Sequence, residues 1–201
     1  MSRRSNTEQR RAEIVSALLA VMAEHGYEKA TIQLIGKQAG LAPGLLHYHF
    51  KTKAEILIEL VKTLANLSRQ RFIELAASAT TADDTLRAYI NARLAKGAGA
   101  DPHAVAAWVM IGAEAVRQPD VRAVYQEAVR AEMQLIEALL SACFGERGRA
   151  ATAVPALAAT LLALMEGAFQ LASAAPEAMP VGYAATMAIE LLEGYMGGAS
   201  H

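Results

Sequence analysis

The chain has little cysteine, little proline and few aromatic side chains. Among 201 residues there is one cysteine, one tryptophan and six prolines, and aromatics make up 5%. A single cysteine, Cys143, excludes an internal disulfide framework and a four-cysteine zinc site, and reads as a small core hydrophobe. Sparse proline beside abundant alanine and leucine leaves helices uninterrupted. No alternating apolar–polar pattern marks a strand, and no internal repeat is present. The N-terminal stretch MSRRSNTEQRRAEI is polar and charged with no apolar core after it, so no secretory signal is expected and a cytoplasmic location is. The longest charge-free stretch, Ala150 to Met165, is short for a membrane span and ends at Glu166, which predicts a buried helix rather than a membrane anchor. Enzyme signatures are missing too. There is no phosphate-binding P-loop, no G-x-S-x-G, no H-E-x-x-H and no E-x-x-H pair. No catalytic residue, metal ligand or cofactor is assigned. His47 and His49 lie two apart and diverge on a helix, which speaks against a shared metal.

What is present is a packed globular composition, 54% apolar and 19% charged. The net charge of −1 hides an asymmetry. Residues 1–55 carry eight Lys and Arg against five Glu, whereas residues 56–201 carry eleven against fifteen Asp and Glu. The positive end hints at a polyanionic partner.

Helix punctuation is dense. Thr7 is placed to cap a first helix whose residues Ile14, Leu18, Val21 and Met22 share one face, and Gly26 stops it. Thr31 caps a short second helix, IQLIGKQA, with Leu34, Ile35 and Ala39 on its apolar side, and Gly40 ends it. Pro43 opens a third helix of under three turns. Thr52-Lys53-Ala54-Glu55 is a capping box for a long fourth helix reaching about Ala77. Further helices are predicted near 83–97, 102–116, 119–144, 152–174 and 182–196. The fold class is all-α with about nine helices. The first domain spans 1–55, and a second helical domain spans 56–201.

Two short helices joined by a glycine turn form a helix-turn-helix, in which a protruding helix enters the major groove of DNA. Residues 7–57 resemble the DNA-binding domain of the TetR family of bacterial transcriptional repressors. The resemblance rests on Ala17 through Met22, Gly26-Tyr27, Ala30-Thr31-Ile32, Ile35, Ala39-Gly40-Leu41, Gly44, Leu46, Tyr48-His49-Phe50-Lys51, Lys53 and Glu55. It implies a homodimer on a double-stranded DNA operator, released when a small-molecule effector binds the C-terminal part. By position it implies that Thr31 meets a phosphate and that Gln33 reaches a base edge. Pro43, Gly44 and Leu45 open the reading helix, and His47, Tyr48 and His49 occupy its exposed end. Lys53 resembles a phosphate contact, with Lys51 a candidate beside it. Leu46 and Phe50 read as core, and Leu45 as core or contact. Arg3, Arg4, Arg10 and Arg11 read either as a basic tail or as phosphate and minor-groove contacts.

Two positions depart from the family. Ala42 stands where Ser or Thr usually caps the third helix, and His47 stands where Tyr is usual. Pro43, Gly44 and Leu45 have no side-chain donors, so their direct readout is apolar, for example against a thymine methyl. Specificity then shifts toward Gln33, Tyr48 or DNA shape.

Residues Trp108 to Met196 are similar to the C-terminal domain of the BetI-like branch. The similarity rests on Trp108, Glu114-Ala115, Pro119, Tyr125, Leu135, Leu139 and Met165-Glu166-Gly167. Effector specificity drifts within one fold, so no particular effector is implied. Candidate ligand-binding residues are Phe72, Tyr89, Trp108, Ile111, Glu114, Tyr125, Met165 and Phe169, with Arg93, Met110 and Met133 beside them. Each is also readable as ordinary core packing. Trp108, Tyr125 and Glu114 together suggest an aromatic and anionic surround for a cation. Alternatively, Glu114 pairs with Arg117 or faces solvent. The last two long helices mix leucine with small residues and read as the dimer interface. The resulting expectation is a ligand-responsive repressor on a palindromic operator. Its rival is a helical effector- or partner-binding protein whose DNA head is inactive, an idea supported by the missing polar cap at Ala42.

Overall fold

The computed structural model describes residues 3–95 and 100–198. Among them are nine α-helices and no strand. They are α1 (Arg3–His25), α2 (Ile32–Gln38), α3 (Pro43–His49), α4 (Lys53–Ala76), α5 (Ala82–Leu94), α6 (Pro102–Arg117), α7 (Pro119–Glu146), α8 (Val154–Ala174) and α9 (Tyr183–Gly197). Residues 96–99, which include the predicted end of the helix near 97, and the side chains of Arg3, Arg4 and Pro43 lie outside the described residues.

The all-α expectation holds, and most helix ends fall where glycine, proline and threonine put them. Gly26 and Gly40 take φ of +78° and +65°, a left-handed conformation that only glycine enters without a Cβ penalty. Thr31 Oγ1 accepts from the Leu34 amide at 3.1 Å. At the start of α4, Thr52 Oγ1 accepts from the Glu55 amide at 3.1 Å, and Glu55 reaches back to the Lys51 amide at 2.9 Å. One expectation shifts. Thr7 lies inside α1 rather than at its cap, because no Gly or Pro interrupts residues 3–25 and the helix continues toward Arg3.

The chain forms two compact units from interleaved segments. The first comprises residues 1–65 and 101–128, the second 66–100 and 129–201. The long helices α4 and α7 each contribute to both. In the first unit, Ile14, Leu18 and Met22 of α1 meet Ile35 of α2 and Leu46 of α3. Ile56, Leu57 and Leu60 of α4 join them with Ile111 of α6, all essentially without solvent access. Burying one such side chain contributes about 1.5–3 kcal/mol. Leu34 is a correction to the α2 face. It stands one residue, about 100° around the helix, from fully buried Ile35 and is exposed.

In the second unit, α5, α8 and α9 pack on one another. The segment Ala151–Ala174 is long and apolar enough, by length and composition, to cross a membrane. Its residues Val154, Ala158, Leu161, Met165 and Phe169 are buried in this unit, as the buried-helix reading expects.

Candidate functional site

Helices α2 and α3 are joined by the expected glycine turn, and a second glycine, Gly36, lies close against it. The Leu41 amide bonds the Gly36 carbonyl at 2.8 Å. A Cβ on Gly36 would stand 3.1 Å from the Leu41 carbonyl oxygen, so a larger residue here makes the turn give by a few tenths of an ångström. Sequence reasoning passed over Gly36; the available signal was a glycine in the middle of a short helix.

Helix α3 is divided cleanly. Leu46 and Phe50, four residues apart, are sunk in the core at 0% and 1% exposure. Gly44, Leu45, His47 and Tyr48 point outward, with Leu45 at 43% and Tyr48 at 73%. A Cβ on Gly44 would meet nothing within 4 Å. His49 is half-buried because it lies three residues beyond Leu46, on the flank of the packed side; its ring stands edge-on to Tyr48 at 5.1 Å. The cap at Ala42 has no side-chain hydrogen bond, as its identity requires. Thr31 and Gln33 are exposed at the start of α2.

The flanking cations behave differently from one another. Lys51 is exposed, and its Nζ donates to the His47 carbonyl at 3.2 Å. Lys53 is turned inward. Its Nζ donates to the Tyr27 carbonyl at 2.9 Å and sits 4.1 Å from the centre of the Tyr27 ring. Burial lowers its pKa, a fall partly offset by the charges of Glu114 and Glu28. Arg10 pairs with Glu13 at 2.6 Å, and Arg11 is bonded within the first unit. These two are helix residues with protein partners, not a free basic tail. Their partners for Arg11 lie 38 and 48 positions away, beyond any local sequence signal.

The eight candidate ligand residues divide between the two units. Trp108, Ile111, Glu114 and Tyr125 belong to the first; Phe72, Tyr89, Met165 and Phe169 belong to the second. The Trp108 and Tyr125 rings meet at 4.9 Å with their planes tilted by 35°, and Ile111 is core. Glu114, 4% exposed, is held by Arg117 at 2.9 Å and by the Gln118 amide. The cation-surround arrangement is not formed in this structure: Glu114 is paired with Arg117 and lies six residues from Trp108, about 120° around the helix. The pairing with Arg117 is the alternative that holds. A cleft of about 310 Å³ opens here, lined by Tyr27, Glu28, Lys53, Glu114, Arg117 and Gln118.

In the second unit the candidates converge. The Tyr89 ring meets Phe72 edge-on at 5.6 Å, and its hydroxyl lies 3.7 Å from the Met165 sulfur. That hydroxyl donates to Glu132 Oε1 at 2.6 Å. Arg93 lies over the Phe169 ring at 5.1 Å, donates to Ser68 Oγ at 2.6 Å, and places Nε 3.1 Å from Glu132 Oε1. That last approach is an ion pair without hydrogen-bond alignment, since the buried Nε has no bonded partner. Burial, and then the Glu132 charge, push the Tyr89 phenol far above its ordinary pKa. Glu132 escaped the sequence reading because a lone glutamate on a long helix looks like any solvated one.

An all-α chain with a short, half-sunk helix presented by a glycine turn is a helix-turn-helix DNA-binding protein. Comparison with known proteins gives the family. Residues 14–60 match "Bacterial regulatory proteins, tetR family", and residues 82–197 match "BetI-type transcriptional repressor, C-terminal". The chain belongs to the tetR family of bacterial regulatory proteins. It is similar to the HTH-type transcriptional regulator BetI of Rhizobium meliloti (strain 1021), at 30% identity over 142 residues, or 69% of this chain and 70% of that one. In fold it is similar to a transcriptional regulator from Pseudomonas aeruginosa PAO1, with TM-score 0.83, 22% identity and coverage of 96% and 92%. The fold is also similar to that of FadR from Bacillus subtilis in complex with stearoyl-CoA, with TM-score 0.76, 22% identity and coverage of 90% and 96%. The protein is thus a DNA-binding transcriptional repressor of this family and not an enzyme.

Proposed function

We propose that α3 enters the major groove of a palindromic operator, with two protomers acting together. The observation that carries this is the division of α3, whose Leu46 and Phe50 anchor it while Gly44, Leu45, His47 and Tyr48 are exposed. Open space beside Gly44 lets a DNA backbone come close. Leu45 supplies apolar contact, and Tyr48 and His47 supply the polar groups of this helix. Gln33 adds an amide suited to an adenine edge. Thr31 and Lys51 serve phosphates. Lys53, held by the Tyr27 and Glu28 carbonyls, contributes through the packing of the head, and half-buried His49 contributes least. Residues 1–55 thus carry the DNA contacts, and residues 56–201 carry effector binding and dimerisation. An operator-binding role implies a cytoplasmic location.

The second copy covers the exposed apolar stripe Met187, Leu191 and Tyr195 on α9 with Leu171 on α8. Exposed Ala156, Ala159, Ala163 and Gly167 on α8 permit close helix approach. The small-molecule effector enters at Phe72, Tyr89, Met165 and Phe169, beside Arg93 and Glu132. It favours a dimer state whose two reading helices no longer match the grooves, which requires higher affinity for that state.

Footprinting on the upstream region of the protein's own gene, across a salt series, tests this. The expected result is a two-fold symmetric protected site that weakens steeply with salt. Tyr48→Ala removes the preferred site, and Gln33→Ala changes its base profile. Equal coverage of all duplexes overturns the reading. An unchanged profile in Gln33→Ala removes that residue from the readers.

A further inference from the structure

The reading helix has a weakness that its own residues do not repair. It is seven residues long, shorter than an isolated helix can sustain, and its N-cap, Ala42, offers no side-chain bond. Its position therefore depends on what grips it from outside. Leu46 and Phe50 grip its buried side. At the C-terminal end, Phe50 N–H bonds the Leu46 carbonyl at 3.0 Å and Lys51 Nζ the His47 carbonyl at 3.2 Å. The His49 carbonyl is taken by Arg11, whose Nη1 donates to it at 2.7 Å. The same guanidinium lies 4.0 Å from the centre of the Phe50 ring, and its Nη2 stands 3.3 Å from Glu59 Oε2 on α4. One planar fork thus joins α1, the last turn of α3 and the body of α4. A lysine has no second arm for this, and no plane to stack on the ring. The positive charge also sits at the negative end of α3, where it is favourable.

We propose that Arg11 is a positioning residue for sequence readout: it fixes the end of α3 from which His47 and Tyr48 project, and it does not act as a phosphate contact. This rests on the assignment of α3 as the reading helix. A phosphate contact and a positioning residue leave different traces. Loss of a phosphate contact weakens all duplexes alike and makes the slope of log affinity against log salt shallower by about 0.9. Loss of positioning weakens the preferred site more than random duplex and leaves that slope unchanged.

The test measures operator and random-duplex affinity over a salt series for the full-length protein and for Arg11→Ala, Arg11→Lys and Glu59→Gln. Thermal midpoints are taken on the same samples. Arg11→Ala is expected to lose roughly ten-fold on the operator, and markedly less on random duplex, with an unchanged slope. Arg11→Lys keeps the charge yet is expected to recover little of the loss. Glu59→Gln removes the ion pair while leaving the carbonyl bond and the ring contact, and is expected to lose about two-fold at full folding, so the proposal stays testable if Arg11→Ala unfolds. A slope shallower by about 0.9 with equal losses on both duplexes, or rescue by lysine, overturns the proposal. So do unaltered affinities in all three variants. A wild-type protein with no preferred site would instead overturn the reading-helix assignment, and this proposal with it.

Discussion

Each compact unit holds an inward-turned acid beside an arginine, Glu114 buried and Glu132 partly so, and the two acids are satisfied in opposite ways. Glu114 is held by residues three and four positions further along its own chain, Arg117 and Gln118. Its network forms whenever the end of α6 forms. Glu132 is held by Tyr89 and Arg93, 43 and 39 positions away on α5, and Arg93 is in turn tied to Ser68 on α4. That network exists only if three helices are packed in one arrangement. The first cluster holds its carboxylate through neighbours along the chain, with Arg117 also reaching Glu28. The second is distributed and incompletely aligned, since Arg93 Nε finds no bonded partner. Buried polar groups that are only partly satisfied are costly, and they are where an incoming ligand can gain most by rearranging bonds. The contrast favours the second unit as the effector site.

The largest effect is expected from Arg93→Ala. It leaves Glu132, whose side chain is only 23% exposed, without its cation, and it uncovers Phe169. Removing one partner of such a pair costs about 2–4 kcal/mol. Urea unfolding at fixed protomer concentration measures it, and a change near zero would erase the distinction between the clusters. Tyr89→Phe comes next. It keeps the ring against Phe72 and loses only the bond to Glu132, at a cost of about 1–2 kcal/mol. Its effector dose–response on operator release should shift more than its stability suggests; an unshifted response argues against this cluster as the site. Glu114→Gln is expected to cost less than about 1 kcal/mol in the same urea assay. Arg117 is more than half exposed and keeps Glu28, and the new amide still offers Gln118 an acceptor. A loss as large as that of Arg93→Ala would show that Glu114 is no local device.

The same division between local and distant explains what the sequence made legible. Ile14, Leu18, Val21 and Met22 repeat at helical spacing, and all four are buried as that spacing predicts. Gly26, Gly40, Pro43 and Thr31 punctuate helices through the residues beside them, so helix limits were readable. The inward turn of Lys53 was not, because Tyr27 lies 26 positions away. Arg11 and Glu132 were hidden for the same reason. Nor does periodicity reveal that residues 101–128 pack with 1–65, since their apolar faces look like any other. A local pattern tells which residues are buried, not against what.

The smallest effect at neutral pH, and the sharpest probe of the first cluster, concerns Tyr27. Burial, and then the nearby Glu114 charge, push its phenol up to about 12 from an ordinary 10.0. Below pH 10 the phenol is protonated in folded and unfolded chains alike, so its titration costs the fold nothing. Between about 10 and 12 the unfolded chain releases a proton that the folded chain retains. Fewer protons on the unfolded side means that stability falls as pH rises through this window. Tyr27→Phe has no such proton to lose and should hold its stability to higher pH, with an alkaline unfolding midpoint above that of wild type. Glu114→Gln, which removes the second cause but not the first, should move the midpoint the same way by less. If Tyr27→Phe follows the wild-type alkaline curve, neither burial nor the Glu114 charge raises the Tyr27 phenol, and the cluster is more open to water than its bonds suggest.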